Sequence, residues 1–258
     1  MKLYNIYFSA KGTTEICAHY IWQKMNMEME LYNWFRCPCN DTLEISKKDV
    51  LLFSMPVYGG YIPKHCADMA KNLKGHNTPA IIVAVYGNRH YDNALLQMKD
   101  ILTKQGFNVI AAGAFVAEHS VFPNVAAGRP DDRDKEVMRE FAEKCKQILS
   151  SPKIKKHRDL KLPGEVGYDG YSYAGLPFKP YADDECIGCG ECARICPQKA
   201  IDINDIRKTN VDLCIACGAC IKVCIRGSRN YHCQEYEEVR KEFENTYSDY
   251  RLPETFYI

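Results

Sequence analysis

Eight cysteines fall into two short runs with the same internal spacing. The first run holds Cys186, Cys189, Cys192 and Cys196, and the second holds Cys214, Cys217, Cys220 and Cys224. Within each run three cysteines stand at intervals of two residues and a fourth follows after three more. Three thiolates at this interval can wrap one cube of iron and sulfide, while the fourth reaches a neighbouring cube. The two runs therefore predict two [4Fe-4S] clusters.

The repeated spacing resembles that of bacterial ferredoxins with two [4Fe-4S] clusters. On that pattern, the fourth cysteine of each run binds the cluster of the other run. The resemblance assigns Cys186, Cys189, Cys192 and Cys224 to the first cluster, and Cys214, Cys217, Cys220 and Cys196 to the second. Gly190 and Gly218, which follow the second cysteine of each run, support this assignment. Tight turns around a cluster need residues that adopt positive φ and bring backbone N–H groups to the sulfides.

Zinc binding and structural thiols are the alternatives for these cysteines. A zinc ribbon needs two C-x2-C pairs and four ligands, which leaves the third cysteine of each run unexplained. The other six cysteines are scattered and fit a reducing compartment: Cys17, Cys37, Cys39, Cys66, Cys145 and Cys233. The Cys37-Pro38-Cys39 pair lacks the C-x-x-C spacing of a redox motif. We therefore predict that these two thiols are incidental, with a redox or metal site as the alternative.

Length and charge restrict the class of protein. The chain has 258 residues and a formal net charge of +1, which predicts one to two domains and gives no bulk electrostatic reason to bind nucleic acid or a membrane surface. No stretch has the apolar length of a membrane span, and Met1–Phe8 resembles a strand more than a signal peptide. We therefore expect a cytoplasmic protein.

The first 150 residues alternate between apolar runs and helical periodicity, the pattern of an α/β fold with a parallel sheet. Predicted strands cover residues 3–8, 29–34, 49–55, 81–85 and 109–116. Predicted helices cover residues 15–25, 64–73, 93–104 and 132–149. The continuous apolar run at 50–53 suits a strand that is covered on both faces.

The loop after the first strand has the composition of a phosphate-binding loop. Five strands alternating with helices, and the sequence from Phe8 to Glu15, resemble flavodoxin and its FMN phosphate loop. The residues in question are Ser9, Lys11, Gly12, Thr13 and Thr14. N–H groups at the start of the following helix attract an anion, and the hydroxyls add donors. Lys11 departs from the family, in which threonine is more common, and could bond the phosphate or point to water. The G-x-G-x-x-G fingerprint of a dinucleotide site is absent here.

Two further loops follow the third and fourth predicted strands, where open α/β sheets bind ligands. The flavodoxin resemblance implies that they flank the isoalloxazine ring of FMN. It makes Tyr58 and Tyr91 candidates for ring contacts, Gly59 and Gly60 for close backbone approach near N5, and residues 87–89 for the pyrimidine edge. Arg89 would stabilise a negatively charged reduced flavin. An ordinary Gly-Gly turn and surface tyrosines are the alternative. The complete candidate set is Pro56, Val57, Tyr58, Gly59, Gly60, Tyr86, Gly87, Asn88, Arg89, Tyr91 and Asp92.

A loop at 118–131 follows the fifth predicted strand. His119 is a candidate proton donor to reduced flavin, although a hydrogen-bonded structural histidine is the more economical reading. The Arg129-Pro130-Asp131 segment predicts a turn and an N-cap for the next helix.

The remaining sequence predicts a connector, a cluster domain and a C-terminal helix. Residues 151–180 are rich in proline, glycine and tyrosine, and this composition is typical of a connector. The tyrosines of this segment disfavour a purely flexible tether, because exposed aromatic rings find apolar partners. The predicted domains are therefore 1–150, a connector at 151–180, 181–230 for the clusters, and 231–258 for a C-terminal amphipathic helix and tail.

The complete arrangement resembles the flavodoxin–ferredoxin fusion proteins of anaerobic bacteria and archaea. The resemblance implies a flavodoxin-like doubly wound five-stranded parallel sheet with a second, smaller α+β ferredoxin domain, and FMN plus two [4Fe-4S] clusters as cofactors. Two departures stand out. Ile225 follows Cys224 where the family has proline, and residues 181–230 balance acidic and basic side chains where free clostridial ferredoxins are acidic.

These features predict a carrier that relays low-potential electrons among FMN, the two clusters and one or more redox partner proteins. The alternative is an FMN-dependent reductase of a small organic substrate, fed by the clusters, and a redox sensor is a third hypothesis. The sequence leaves open whether the chain is an enzyme, the direction of electron flow, the reduction potentials, and whether copies associate as a homo-oligomer.

Overall fold

The computed structural model describes residues 1–39, 41–151, 159–165 and 175–258. The chain divides into two compact units. Unit 1 comprises Met1–Glu118, Ala126–Tyr173 and Tyr250–Ile258, and unit 2 comprises His119–Val125 and Ala174–Asp249. Most of the predicted connector, including Pro152, Tyr168, Tyr171 and Tyr173, lies outside the described residues. Across the described ranges, no helix combines the length and apolar character needed to cross a membrane.

Unit 1 is built on a parallel sheet that follows the predicted alternation. Its parallel strands are β1 (Leu3–Tyr7), β2 (Met29–Asn33), β4 (Val50–Pro56), β6 (Thr78–Tyr86) and β7 (Phe107–Val116). They lie in the order β7-β6-β4-β1-β2. Counted along the chain, this is the order 2-1-3-4-5 of the flavodoxin-like fold. The predicted fold class is confirmed, and the order of strands reverses direction between β1 and β4.

Four helices cover the two faces of this sheet. They are α1 (Thr13–Met25), α2 (Lys64–Ala70), α3 (Ala94–Lys104) and α4 (Asp132–Ser150). The core on one face joins side chains of α1 and α4 to the central strands, among them Ile21, Val83 and Phe141. Every residue of β4, β6 and β7 is buried, because helices shield both faces of these strands.

The N-cap prediction for α4 is confirmed. Asp131 accepts hydrogen bonds from the backbone N–H groups of Arg133 and Asp134, and Asp134 bonds back to the N–H of Asp131. Arg129, just before this cap, forms a buried ion pair with Asp134. The predicted turn therefore ends in a capping box that also anchors a buried arginine.

The sheet contains a sixth strand that the sequence analysis did not predict. Strand β10 (Glu254–Tyr257) pairs antiparallel with β7, so the C-terminal tail forms an edge of the unit 1 sheet. The helix predicted at 64–73 is also shorter than expected. It ends at Ala70, and Leu73 begins the short strand β5 (Leu73–Gly75), which pairs with β3 (Leu43–Ile45). Pairing with a strand about thirty residues away overrides the local helical pattern.

Unit 2 contains short elements arranged around the cysteines. Helices α5 (Glu191–Ile195) and α6 (Ala219–Lys222) each hold the third cysteine of a run. Strands β8 (Tyr181–Ala182) and β9 (Arg229–Asn230) pair antiparallel.

The predicted C-terminal amphipathic helix is α7 (Gln234–Thr246), which also belongs to unit 2. It packs against the segment His119–Val125, and Tyr236 donates its hydroxyl hydrogen to the carbonyl of Val121 at 3.0 Å. Unit 2 is therefore formed from two separate parts of the chain.

Candidate functional site

The three predicted flavin loops begin at the carboxyl ends of neighbouring strands in unit 1. Tyr7 on β1 is in register with Ser54 on β4, and Pro56 on β4 is in register with Val85 on β6. The loops at 8–12, 57–63 and 87–93 therefore leave the same edge of the sheet. They flank the reversal between β1 and β4, where ligands bind in folds of this class.

The loop at 8–12 leads into the N-terminus of α1. Gly12 is the N-cap of α1, with φ of 100°, and has no side chain of its own to cap the helix. The buried Ser9 hydroxyl accepts a bond from the N–H of Glu15 at 3.1 Å, and the hydroxyl of Tyr7 donates to Glu15 Oε1 at 2.5 Å. These bonds fix the first turn of α1. Its remaining N–H groups and positive dipole end suit a phosphate, as the sequence analysis predicts.

The second and third loops touch at Gly60 and Asp92. A Cβ atom on Gly60 would lie 2.5 Å from Asp92 Oδ2, and Gly60 has φ of +89°. Further bonds hold the two loops in place: Asn93 donates to the Tyr61 hydroxyl at 3.2 Å, and Gln97 accepts from the N–H of Ile62 at 2.9 Å. Only glycine meets both demands at position 60, so this residue lets the second and third loops pack closely together.

The loop at 86–92 places its predicted residues in two different environments. Arg89 and Asp92 form a half-exposed ion pair at the loop surface. Tyr91 is 1% exposed, stacks on His90 with ring centroids 4.8 Å apart, and donates its hydroxyl hydrogen to Glu254 at 2.8 Å. Tyr58, the other candidate for a ring contact, is partly exposed. Tyr58 is therefore the more accessible of the two candidate rings.

His65 lies beside this site and was not singled out by the sequence analysis. Its ring packs edge to face on Phe8, which begins the phosphate loop, with centroids 4.8 Å apart. Burial lowers the pKa of His65 to about 4, against a weaker opposite effect of Asp68. The folded protein therefore holds this imidazole in its neutral form at neutral pH.

We expect unit 1 to lose stability in mild acid because of His65. The unfolded chain takes up the proton near pH 6.5, above the folded pKa of about 4, so the free energy of unfolding falls with pH across that window. The loss between about pH 7 and about pH 5 should be on the order of 2 kcal/mol. Urea unfolding of His65→Gln, followed by circular dichroism, should show a flatter pH dependence. His76→Gln, which alters an exposed histidine paired with Glu44, is the control, and an unchanged profile in His65→Gln would contradict the assignment.

His119 belongs to unit 2, whereas the loops described above belong to unit 1. Its Nδ1 atom accepts bonds from the N–H groups of Val121 and Phe122 at 3.1 and 3.0 Å, and its ring stacks on Phe122 and packs against Phe243. These contacts are those of a structural histidine that stabilises the segment His119–Val125. This is the simpler of the two roles considered for His119, the other being a proton donor to reduced flavin.

The eight cysteines of the two runs line two cavities in unit 2. The first is lined by Cys186, Cys189, Cys192 and Cys224, and the second by Cys196, Cys214, Cys217 and Cys220. The fourth cysteine of each run therefore lies with the first three of the other run, in the grouping that the ferredoxin resemblance implies. In the described part of the chain, no three His, Cys, Asp or Glu side chains converge closely enough to share a single metal ion.

The backbone around the two cavities has matching features. Gly190 and Gly218 have φ of 76° and 74°, as predicted for turns beside a cluster. The N–H of Ala200 donates to Cys196 Sγ at 3.3 Å, and the N–H of Arg229 donates to Cys224 Sγ at 3.4 Å. Backbone donors of this kind stabilise negative charge on cluster ligands. Burial raises the pKa of the Cys192, Cys214 and Cys217 thiols, so a positive group is needed to favour their thiolate forms.

Three buried polar atoms near the cavities have no hydrogen-bond partner among the residues that the structure describes. They are Ser228 Oγ, Arg229 Nε and Tyr231 Oη. Ser228 and Arg229 line the first cavity, and burial followed by the charges of Cys214 and Cys220 raises the pKa of Tyr231. Orphaned donors beside soft thiolate ligands fit a group that carries acceptor sulfides. The sequence analysis missed all three, because they lie outside the repeated spacing.

A comparison with known protein families matches part of unit 2. Residues 179–225 match the family model described as the 4Fe-4S dicluster domain. The chain has no match among curated protein sequences.

The solved structures that resemble this chain include flavodoxins. Flavodoxin from Streptococcus pneumoniae TIGR4 has 14% identity and a TM-score of 0.40, over 55% of this chain and 96% of its own. Oxidised flavodoxin 2 from Bacillus cereus has 15% identity and a TM-score of 0.41, over 55% and 96%. A flavodoxin from the domain Archaea has 11% identity and a TM-score of 0.40, over 58% and 100%.

The strand order of unit 1 and the family match within unit 2 together define the class of protein. The chain joins a flavodoxin-like α/β fold to a smaller 4Fe-4S dicluster domain. It thus has the organisation of a flavodoxin–ferredoxin fusion.

Proposed function

We propose that this protein relays low-potential electrons among an FMN held by unit 1, two [4Fe-4S] clusters held by unit 2, and a redox partner protein. The observation that carries the proposal is the crosswise sorting of eight cysteines into two cavities, on a chain that also forms a flavodoxin-like sheet. Bound FMN would supply one- and two-electron chemistry and each cluster one-electron chemistry. One polypeptide holding both kinds of centre raises the effective concentration of one at the other.

The residues of unit 1 have distinct roles in this proposal. Gly12, Thr13 and Thr14 would bind the FMN phosphate at the helix N-terminus, and Ser9 would position that turn through its bond to Glu15. Gly59 and Gly60 would let the backbone approach the isoalloxazine, and Tyr58 would contact its ring. Arg89 carries a positive charge at the loop surface, where it would favour an anionic reduced flavin.

The residues of unit 2 hold the clusters and balance their charge. The four cysteines of each cavity would be the ligands, and the N–H groups of Ala200 and Arg229 would donate to ligand sulfurs. The described residues that line the first cavity include the exposed side chains Ile187 and Ile225, which are 60% and 83% exposed. A partner protein could therefore approach the first cluster closely.

Anaerobic purification with iron, sulfide and flavin analysis tests the cofactor set. We expect about eight irons, about eight sulfides and about one FMN per chain. Zinc in place of iron, or a chain that binds no flavin, would contradict the proposal.

Reoxidation after anaerobic photoreduction then tests the role. A carrier should transfer its electrons rapidly to flavin- or cluster-containing acceptor proteins and slowly to small organic compounds. A heat-denatured acceptor protein is the control for non-specific oxidation. Rapid, saturable reduction of a small compound would instead support the FMN-dependent reductase.

A further inference from the structure

Arg229 carries a buried positive charge and is 1% exposed. Arg194, Arg207 and Arg226 in the same unit each pair with a carboxylate, whereas Arg229 forms no ion pair with any residue in the described ranges. A buried charge is costly unless other charges or hydrogen bonds compensate for it. The position of Arg229 in unit 2 therefore needs a source of negative charge.

Backbone carbonyls orient the guanidinium but supply no negative charge. Nη1 donates to the carbonyl of Ile206 at 2.6 Å, and Nη2 donates to the carbonyls of Pro180 and Lys208 at 3.1 and 3.3 Å. Nη2 also donates to the hydroxyl of Thr209. These bonds hold the planar group in one orientation while Nε stays without a partner. The geometry is that of a positioned, incompletely compensated charge.

The guanidinium lies beside the lining of both cavities. Nη1 lies 4.0 Å from Cys192 Sγ, which lines the first cavity. Nη2 donates to the carbonyl of Pro180 and to the hydroxyl of Thr209, and both of these residues line the second cavity. Arg229 is thus in contact with the walls of both cavities.

We propose that Arg229 is a positioning residue that sets the reduction potentials of both clusters at once. The inference rests on the proposed function, because it needs both clusters in place. Each one-electron reduction by a low-potential donor adds one negative charge to a cluster and its four thiolates, with no bond formed or broken. A nearby buried cation stabilises that added charge, so Arg229 raises the potential of each cluster relative to a neutral side chain.

Substitution of Arg229 tests this assignment in the full chain. Anaerobically purified Arg229→Met and Arg229→Lys would be titrated with dithionite while each reduced cluster is followed by electron paramagnetic resonance. In Arg229→Met we expect both potentials to become more negative, by at least about 59 mV, which is a tenfold change in the ratio of oxidised to reduced cluster. Arg229→Lys should shift less, because it keeps the charge but loses the forked contacts.

Arg226 provides the matched control. It lines the first cavity as well, but its side chain is 53% exposed and paired with Glu185 at 3.3 Å. Solvent and its partner screen this charge, so Arg226→Met should shift the first cluster much less than Arg229→Met does.

The outcomes separate this inference from the proposed function. Wild-type protein without about eight irons would contradict the function itself. Fully loaded Arg229→Met with unchanged potentials, or with only one shifted potential, would overturn the shared role. Loss of the clusters from both Arg229 variants would make Arg229 a residue needed for folding and would also overturn the proposal.

Discussion

The double variant Cys196→Ala/Cys217→Ala is expected to keep one intact cluster, with about four irons per chain instead of about eight. Cys196 and Cys217 belong to different runs of the sequence but line the same cavity. Removing both therefore disables one binding site twice and spares the other. Iron and sulfide analysis after anaerobic reconstitution measures this outcome.

The double variant Cys224→Ala/Cys217→Ala is the matched counterpart, and we expect it to lose both clusters. These two cysteines belong to the same run, but Cys224 lines the first cavity and Cys217 the second. If each run bound its own cluster, the two double variants would exchange their iron contents. The opposite result would therefore contradict the crosswise ligand sets directly.

Two controls make the iron measurements specific. Cys37→Ala removes an exposed thiol in unit 1 and should leave the iron content unchanged. FMN content should also stay the same in both double variants, because the candidate flavin loops belong to unit 1. A parallel loss of FMN would indicate general unfolding instead of a lost ligand.

Gly60→Ala is expected to weaken FMN binding by roughly 10-fold to 100-fold, equivalent to about 1.4–2.8 kcal/mol. The new Cβ would lie 2.5 Å from Asp92 Oδ2 and 2.8 Å from Asp92 Cβ, so the loop at 87–92 must move. A residue with a side chain also strains at φ of +89°. Titration of the apoprotein with FMN, followed by flavin fluorescence, gives the dissociation constant.

Gly128→Ala separates the backbone strain from the displaced loop. Gly128 has a similar φ of +75°, but a Cβ there would meet nothing within 4 Å. Gly128→Ala should lower the free energy of unfolding by about 1 kcal/mol, and Gly60→Ala should lower it further because of the clash with Asp92. Only Gly60→Ala should change FMN affinity. Equal FMN affinity in wild type and Gly60→Ala would remove this loop contact from the proposed flavin site.

Local patterns predicted the parts of this protein whose geometry depends on neighbours in the chain. The spacing of Cys186, Cys189 and Cys192 places three thiols around one cavity because the intervening turns are short and fixed by glycines such as Gly190. The sequence also predicted that the loop from Ser9 to Thr14 leads into a helix, since the first turn of a helix depends on adjacent residues. Strand and helix periodicity sufficed for the flavodoxin-like fold, because each central strand is continuously apolar.

Other features depended on residues far apart in the sequence. The sequence made Tyr91 a candidate for a flavin ring contact, but its hydroxyl bonds to Glu254, 163 residues away, and the ring is buried. His119 follows a strand of unit 1 but packs with α7 in unit 2. The C-terminal tail forms strand β10 because β7 offers an open edge, which no pattern within the tail records.

The sequence by itself determined the two cysteine runs, the class of fold and the positions of the candidate flavin loops, because spacing and periodicity encode local geometry. The ferredoxin resemblance also anticipated how the cysteines sort into two cavities, whereas the tertiary structure alone decided which polar side chains surround those cavities. Arg229 shows the reason most clearly. In the sequence it is one basic residue among many, and only long-range packing buries it between Ile206, Pro180 and the ligand cysteines, where its charge is no longer screened by water.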